Sequence, residues 1–316
     1  MRSKGKSKVA FLAAILATTS LLLSGCSTGG YGTDAFPNTT TYLYKKFTNG
    51  QFIAPYKKNQ PDMGATLEAM IALTAVGYGK EKQTKAIEWI KKNPDLLMSN
   101  GFKGEFVFAS HALGFSTDPS VMSALTKLKS AIEPDYSIHN ATNYETCWAI
   151  LGLVADGQKD LANKIALKLT DLAELDGGYK YLTGDRQYEE SADVTSFMII
   201  AVGATSGFGS SQDEAAKTFA MGRAKNWLLN NLHGSDRWVA MGGDDMAGTA
   251  YAISALGSLG VEVSPYYNWY TKQINAKDYG VIAPWSDPDS DLLTTTQSIL
   301  ALNKLSFLDI LKHMNN

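Results

Sequence analysis

The sequence is poor in the residues that usually announce chemistry. Its 316 residues include two cysteines, four histidines and nine prolines. Cys26 closes an N-terminal targeting segment, which leaves Cys147 alone in the folded part and excludes an intramolecular disulfide framework and a four-cysteine zinc site. His111, His139, His233 and His313 are scattered without ligand spacing and read as surface or loop residues. A Gly-x-Ser-x-Gly elbow is absent, as is a phosphate-cradling Gly-rich loop. Strand-like runs are few, the N-terminal apolar stretch Val9 to Leu23 falls short of the roughly 20 residues that span a bilayer, and no later apolar run reaches that length. Removing residues 1–25 takes away Arg2, Lys4, Lys6 and Lys8 and no anion, so the formal charge moves from −2 to −6. A mildly acidic chain without a basic run makes nucleic acid a poor candidate partner, and none is expected. A hydrophobic content of 45% permits a sizeable core.

The N-terminus carries the most specific signal. Four cations precede an apolar stretch, Val9 to Leu23, which ends in Leu23-Ser24-Gly25-Cys26. The order basic, apolar, small is that of a cleaved secretory signal. Its last four residues resemble the lipobox of bacterial lipoproteins, and that resemblance implies an acylated Cys26 as the first residue of the mature chain. Ser27 to Thr33 then reads as a flexible tether. The expected organisation is a signal peptide over 1–25, the lipidated cysteine and tether over 26–37, and one domain over 38–316. The expected location is the outer face of the cell membrane, held by the lipid, away from cytosolic ATP or NADPH.

One pattern recurs through the domain. A leading residue is followed by small and apolar residues, with Ala-Leu or a similar pair ten and eleven residues on. Asp62 leads to Ala72-Leu73, Asp245 to Ala255-Leu256, Asp291 to Ala301-Leu302 and Asp193 to Gly203-Ala204. Weaker copies begin at Thr142 and near Phe102. These segments are apolar nearly all round, so each is a helix buried on every side. Amphipathic helices alternate with them. Over Lys80–Lys92, Ala86, Ile87 and Ile90 face inward while Lys85, Glu88, Lys91 and Lys92 face out. Asn38 to Phe47 reads as the first of these outer helices, and Asp118-Pro119 and Ser264-Pro265 mark the starts of two more. Six alternating pairs predict an all-α fold of two concentric rings, an (α/α)6-type toroid. A linear stack would leave the apolar inner helices facing water.

The connections from outer to inner helices repeat as well: Asn49-Gly50-Gln51-Phe52, Asn100-Gly101-Phe102, Asp176-Gly177-Gly178-Tyr179, Gly234-Ser235-Asp236-Arg237-Trp238 and Asp278-Tyr279-Gly280. Glycine permits the tight reversal and the aromatic packs back across the helix pair. The stretches YLYKKFTNGQF, AELDGGYKY and WLLNNLHGSDRW resemble the prenyltransferase/squalene-oxidase repeat, over roughly Thr40 to Leu305. This resemblance implies the α/α toroid of class II terpenoid cyclases, protein prenyltransferase β subunits, complement thioester domains and cobalamin carriers. It does not imply one activity, because the repeat is architectural.

The chemical signatures of those families are incomplete here. The cyclase Asp-x-Asp-Asp element aligns with Asp245-Met246-Ala247-Gly248, and the proton-donating acid falls on Ala247. Glu145-Thr146-Cys147-Trp148 resembles the prenyltransferase Asp-x-Cys element, but Thr294, Thr295 and Thr296 stand where the zinc-binding histidine is required. The Cys-Gly-Glu-Gln thioester element is absent. Asp244 to Ala250 resembles the inner helices of cobalamin carriers, without their second domain. No resident cofactor or metal is expected, and Cys147 reads as a small buried residue.

Acidic and aromatic residues remain at the helix starts. Asp185, Glu189, Glu190 and Asp193 precede or open the fourth inner helix, Asp244 and Asp245 the fifth, and Asp287, Asp289 and Asp291 the sixth. Aspartate at an N-cap satisfies free amides, which accounts for the leading Asp of each unit but not for the extra carboxylates. Asp287-x-Asp289-x-Asp291 has the opening of a calcium loop, yet Leu292 and Ser298 occupy its required Gly and Glu positions. Trp148, Trp238, Trp285, Tyr179 and Tyr181 lie in or beside these loops. The candidate ligand-binding residues are therefore Tyr179, Glu190, Asp193, Trp238, Asp244, Asp245, Trp285, Asp287, Asp289 and Asp291. Two functions follow: binding of a bulky amphipathic molecule (a corrinoid is one instance) or a membrane-protein partner at the toroid mouth, or an enzyme on the same scaffold. The enzyme reading is foremost a carbohydrate-active hydrolase or lyase using paired rim carboxylates, and secondarily a divergent cyclase or prenyltransferase. The mouth is expected to favour neutral or cationic groups.

Overall fold

The computed structural model describes residues 33–78, 80–96, 99–181, 189–240 and 243–314. Cys26, the signal segment and Asp185 lie outside the described residues. Six helices are apolar on all sides and form the inner ring: α2 (Met63–Ala75), α4 (Asn100–Leu113), α6 (Asn143–Ala155), α8 (Ala192–Gly203), α10 (Met246–Ser258) and α12 (Leu292–Leu302). Each packs against the next, and α12 packs against α2, so the ring closes as the sequence pattern predicts. The outer helices are α1 (Pro37–Lys45), α3 (Lys80–Lys92), α5 (Pro119–Ser130), α7 (Lys159–Thr170), α9 (Ser211–Asn230) and α11 (Ser264–Tyr270). They lay one apolar stripe on the inner ring: Ala86 and Ile90 of α3, and Ala162, Ile165, Ala166 and Leu169 of α7, are buried. Cys147 is buried on α6, where burial pushes its thiol pKa well up.

Every inner helix starts on a side-chain cap. Asp62 accepts from the Ala65 amide (2.9 Å), Asp245 from Gly248 (2.8 Å) and Asp291 from Thr294 (2.7 Å). Thr142 and Glu145 form a reciprocal capping box. Each cap stabilises its helix by about 1 kcal/mol. Two sequence expectations are corrected here. The cap of α8 is Ser191, not Asp193, and the cap of α4 is Ser99, so Asn100-Gly101-Phe102 forms the first turn of a helix and not a loop. The glycines within α4 and α6 serve helix packing: a Cβ on Gly104 would sit 2.4 Å from the Ala149 Cα, and one on Gly152 2.3 Å from the Gly104 carbonyl oxygen. Helices α4 and α6 thus touch backbone to backbone. Trp148, expected beside a loop, is fully buried on α6.

Short antiparallel pairings lead into several inner helices. Strands β1 (Val239–Ala240) and β2 (Gly243–Asp244) precede α10, and β3 (Val281–Ile282) and β4 (Ser290–Asp291) precede α12. Four connections share one clamp. The amides of Ile53, Tyr179, Trp238 and Val281 donate to Thr66, Thr195, Thr249 and Thr295, each four residues after a cap. The far end of the ring is plugged. Helix α13 (Phe307–Met314) places the Phe307 ring 4.8 Å from Trp148, 5.6 Å from Phe197 and 5.8 Å from Phe108, centroid to centroid. Among the described residues, no helix is long and apolar enough to cross a membrane.

Candidate functional site

Because every unit runs outer helix, loop, inner helix, the inner-helix N-termini meet at one face. A cavity of about 530 Å³ opens there. Asp62, Gly64 and Glu68 of the second-helix unit, Phe102 and Glu105 of α4, Tyr144 of α6, Asp193 of α8, and Leu293 and Gln297 of α12 line it, with Tyr56 and Tyr181 from the connecting segments. Among the described residues, no Lys, Arg or His contributes to this wall. Beneath Glu68 and Gln297 only about 20 Å³ remains before Phe307 closes the axis.

The axial side chains share one repeat position. Six residues after each cap stand Glu68, Glu105, Trp148, Phe197, Tyr251 and Gln297. Trp148 lies 4.9 Å from Phe197, and Phe197 5.4 Å from Tyr251, by ring centroids. The Tyr251 hydroxyl donates to Glu68 Oε1 at 3.0 Å, and the Tyr144 hydroxyl donates to the same oxygen at 2.8 Å. Half of this layer is aromatic and supports the core. The other half is two carboxyls and an amide.

Burial governs the acids of this site. It raises Glu68 to about 7, although the hydrogen bonds from Tyr144, Tyr251 and Gln297 pull the other way. Glu105 is fully buried, and neither of its carboxyl oxygens has a hydrogen-bond partner. Burial raises its pKa well above the usual carboxylate range, and Glu68 and Asp62 add to the rise. An unsatisfied buried polar group costs about 1–3 kcal/mol. Glu105 Oε2 and Asp62 Oδ1 each lie 3.6 Å from where a Cβ on Gly64 would be, so the missing side chain at 64 keeps space between two carboxyls. Asp193 accepts from the Ser191 hydroxyl and the Val194 amide, and burial raises its pKa. Burial, followed by the charge of Asp193, lifts Asp245 to about 7.

Of the ten sequence-predicted residues, Asp193 lines this cavity and the other nine stand outside its wall. Tyr179 and Trp238 are buried in the core, and the Trp238 indole donates to the Leu228 carbonyl at 2.9 Å. Asp245 and Asp291 cap helices. Asp244 accepts from Arg237 at 2.6 Å, and Glu190 pairs with Lys180 across a bridge. Asp287 and Asp289 are exposed on the last hairpin, where Trp285, 68% exposed, donates to Asp291. Sequence reasoning missed Glu68, Glu105, Tyr144, Tyr251 and Gln297. For all of these but Tyr144, the available signal was a polar residue at the sixth position after the cap, within otherwise apolar helices. Taking Phe102 and Asp193 as leading residues put two units out of register and hid it. Among the described residues, no three His, Cys, Asp or Glu side chains gather as metal ligands.

No protein-family description matches the sequence, and no curated protein matches it. Solved structures do. Haptocorrin in complex with Cbi superposes with a TM-score of 0.59 at 12% identity, over 87% of this chain and 67% of that one. The unsaturated glucuronyl hydrolase of Bacillus sp. GL1, responsible for the degradation of glycosaminoglycan, superposes with a TM-score of 0.60 at 12% identity, over 85% of this chain and 94% of that one. A UGL structure with dGlcA-Glc-Rha-Glc gives 0.60 at 11% identity, with the same coverages. At these identities the likeness establishes the α/α toroid and not the activity.

Proposed function

We propose that the protein is an extracytoplasmic lipoprotein, anchored to the cell membrane through Cys26, whose prenyltransferase/squalene-oxidase-like toroid binds a bulky amphipathic small molecule at its mouth. The observation that carries the reading is the 530 Å³ cavity, which combines aromatic faces with carboxyls and is closed below by Phe307. Concave sites of this size with a few convergent polar groups are the usual form of small-molecule sites. Haptocorrin's bound Cbi makes a corrinoid-like ligand one instance. The exposed rim of Trp285, Asp287 and Asp289 extends the surface offered to a large ligand or a membrane-protein partner. A second reading draws on Glu68: a carboxyl at about 7 beside Asp62 has the makings of a general acid for glycoside cleavage.

Purification of the full chain in detergent, followed by mass spectrometry of co-purifying compounds and a thermal-shift screen, tests the binding reading. Hits should raise the melting temperature of the wild type and not that of Phe102→Ala. A screen without hits, together with turnover of an unsaturated oligosaccharide that is lost in Glu68→Gln, would replace it with the enzyme reading. Cys26→Ala should abolish metabolic lipid labelling, and persistent label would remove the anchor from the proposal.

A further inference from the structure

Glu105 is a buried group that the fold itself does not explain. Its neighbour Glu68 already accepts two tyrosine hydroxyls, whereas both oxygens of Glu105 lack any donor while standing in the wall of the mouth cavity. Helix packing has room for an apolar residue at this position, as Phe197 and Trp148 demonstrate at the equivalent places in α8 and α6. Among the described residues none donates to Glu105, which leaves its oxygens open to a donor carried by a ligand.

The surroundings specify its charge and shape. Asp62, Glu68 and Asp193 line the same cavity and, among the described residues, no basic side chain does, so the wall favours a cation over an anion. Tyr56, Phe102, Tyr144 and Tyr181 supply aromatic faces, to which a cation is also attracted. A quaternary ammonium would meet the charge but bring no N–H for Glu105. A metal ion would need a gathered ligand set, and among the described residues none exists.

We infer that the mouth cavity takes a ligand bearing a primary or secondary ammonium group, whose N–H donors bind the carboxyl group of Glu105 while its apolar body lies against Phe102 and Tyr56. This inference rests on the binding reading above and names the chemical class of its ligand.

The test uses full-length protein in detergent and three probes: tryptamine, N-acetyltryptamine and N,N,N-trimethyltryptammonium, titrated calorimetrically. Tryptamine should bind tightest, on the order of ten-fold better than either other probe, because a charge-assisted hydrogen bond requires both charge and N–H. Glu105→Gln should cancel that preference while leaving the melting temperature unchanged or higher. The probe comparison on the wild type stands even if the variant folds poorly. Equal affinity for all three probes, or undiminished tryptamine binding in Glu105→Gln, overturns the ammonium inference. If those probes then lose affinity in Phe102→Ala, the cavity reading survives without it. Failure of every probe overturns the inference, and a thermal-shift screen equally without hits takes the binding reading with it.

Discussion

Two acidic regions share the mouth face of the toroid and behave oppositely. The hairpin ahead of α12 displays Asp287 and Asp289 in solvent, beside an exposed Trp285. Helices α2 and α4 instead bury Glu68 and Glu105 close to the ring axis. Exposed carboxylates are inexpensive and mostly solvated, so their clustering carries little information. A carboxyl fully enclosed among helices with no donor is costly, and such groups persist where they serve a task. The acids most conspicuous in the linear sequence are therefore the less informative pair.

The largest effect should come from the element that gives the inner pair its floor. Phe307→Ala removes the ring that packs on Trp148, Phe197 and Phe108. It should cost about 3–5 kcal/mol in denaturant unfolding, through lost burial and the cavity left behind. A loss below 1 kcal/mol would mean that the axis is not sealed there, and that the two regions are less distinct.

The pH response separates the regions next. Burial raises Glu68 to about 7 and also raises Glu105, Asp193 and Asp245. The folded state then holds protons that the unfolded chain has released, so stability is full below about pH 4 to 5 and falls as pH rises towards 7. For Glu68 alone, the shift from 4.5 to about 7 corresponds to roughly 3 kcal/mol. Acids whose pKa is lowered, such as Asp118 and Glu214, lose their contribution only below that range. Urea midpoints should therefore drop between pH 5 and pH 8, and the drop should shrink in Glu105→Gln. Asp289→Ala should leave the pH profile as it is. A flat wild-type profile would contradict the burial of the inner acids.

The smallest effects concern the rim. Asp245→Ala removes the α10 cap and should cost about 1 kcal/mol. Trp285→Ala and Asp289→Ala should stay within about 0.5 kcal/mol. Ligand affinity measured in the same two variants shows how far the ligand reaches: weakening brings the rim into the site, and unchanged affinity confines binding to the enclosed cavity.

Much of the architecture was legible before any coordinates. An all-round apolar helix has nowhere to go but inside, and six of them alternating with amphipathic partners admit few arrangements other than a closed double ring. The caps at Asp62, Asp245 and Asp291 were readable because capping is local chemistry. Those at Ser99 and Ser191 were not, since nearby Phe102 and Asp193 offered equally plausible starts. The plug by α13 was not legible either, because a short terminal helix says nothing about which end of a ring it will cover.

The sequence by itself determined which segments are buried, that the helices pair and repeat, and that two cysteines cannot build a four-cysteine zinc site. Those properties depend on composition and on residues a few positions apart. Only the tertiary structure decided that Glu68 meets Tyr144 and Tyr251, 76 and 183 residues away, and that Glu105 meets no donor among the described residues. The physical reason is that a helix's periodicity tells which residues are buried, while ring closure tells what they are buried against. The character of a carboxyl group depends on the second.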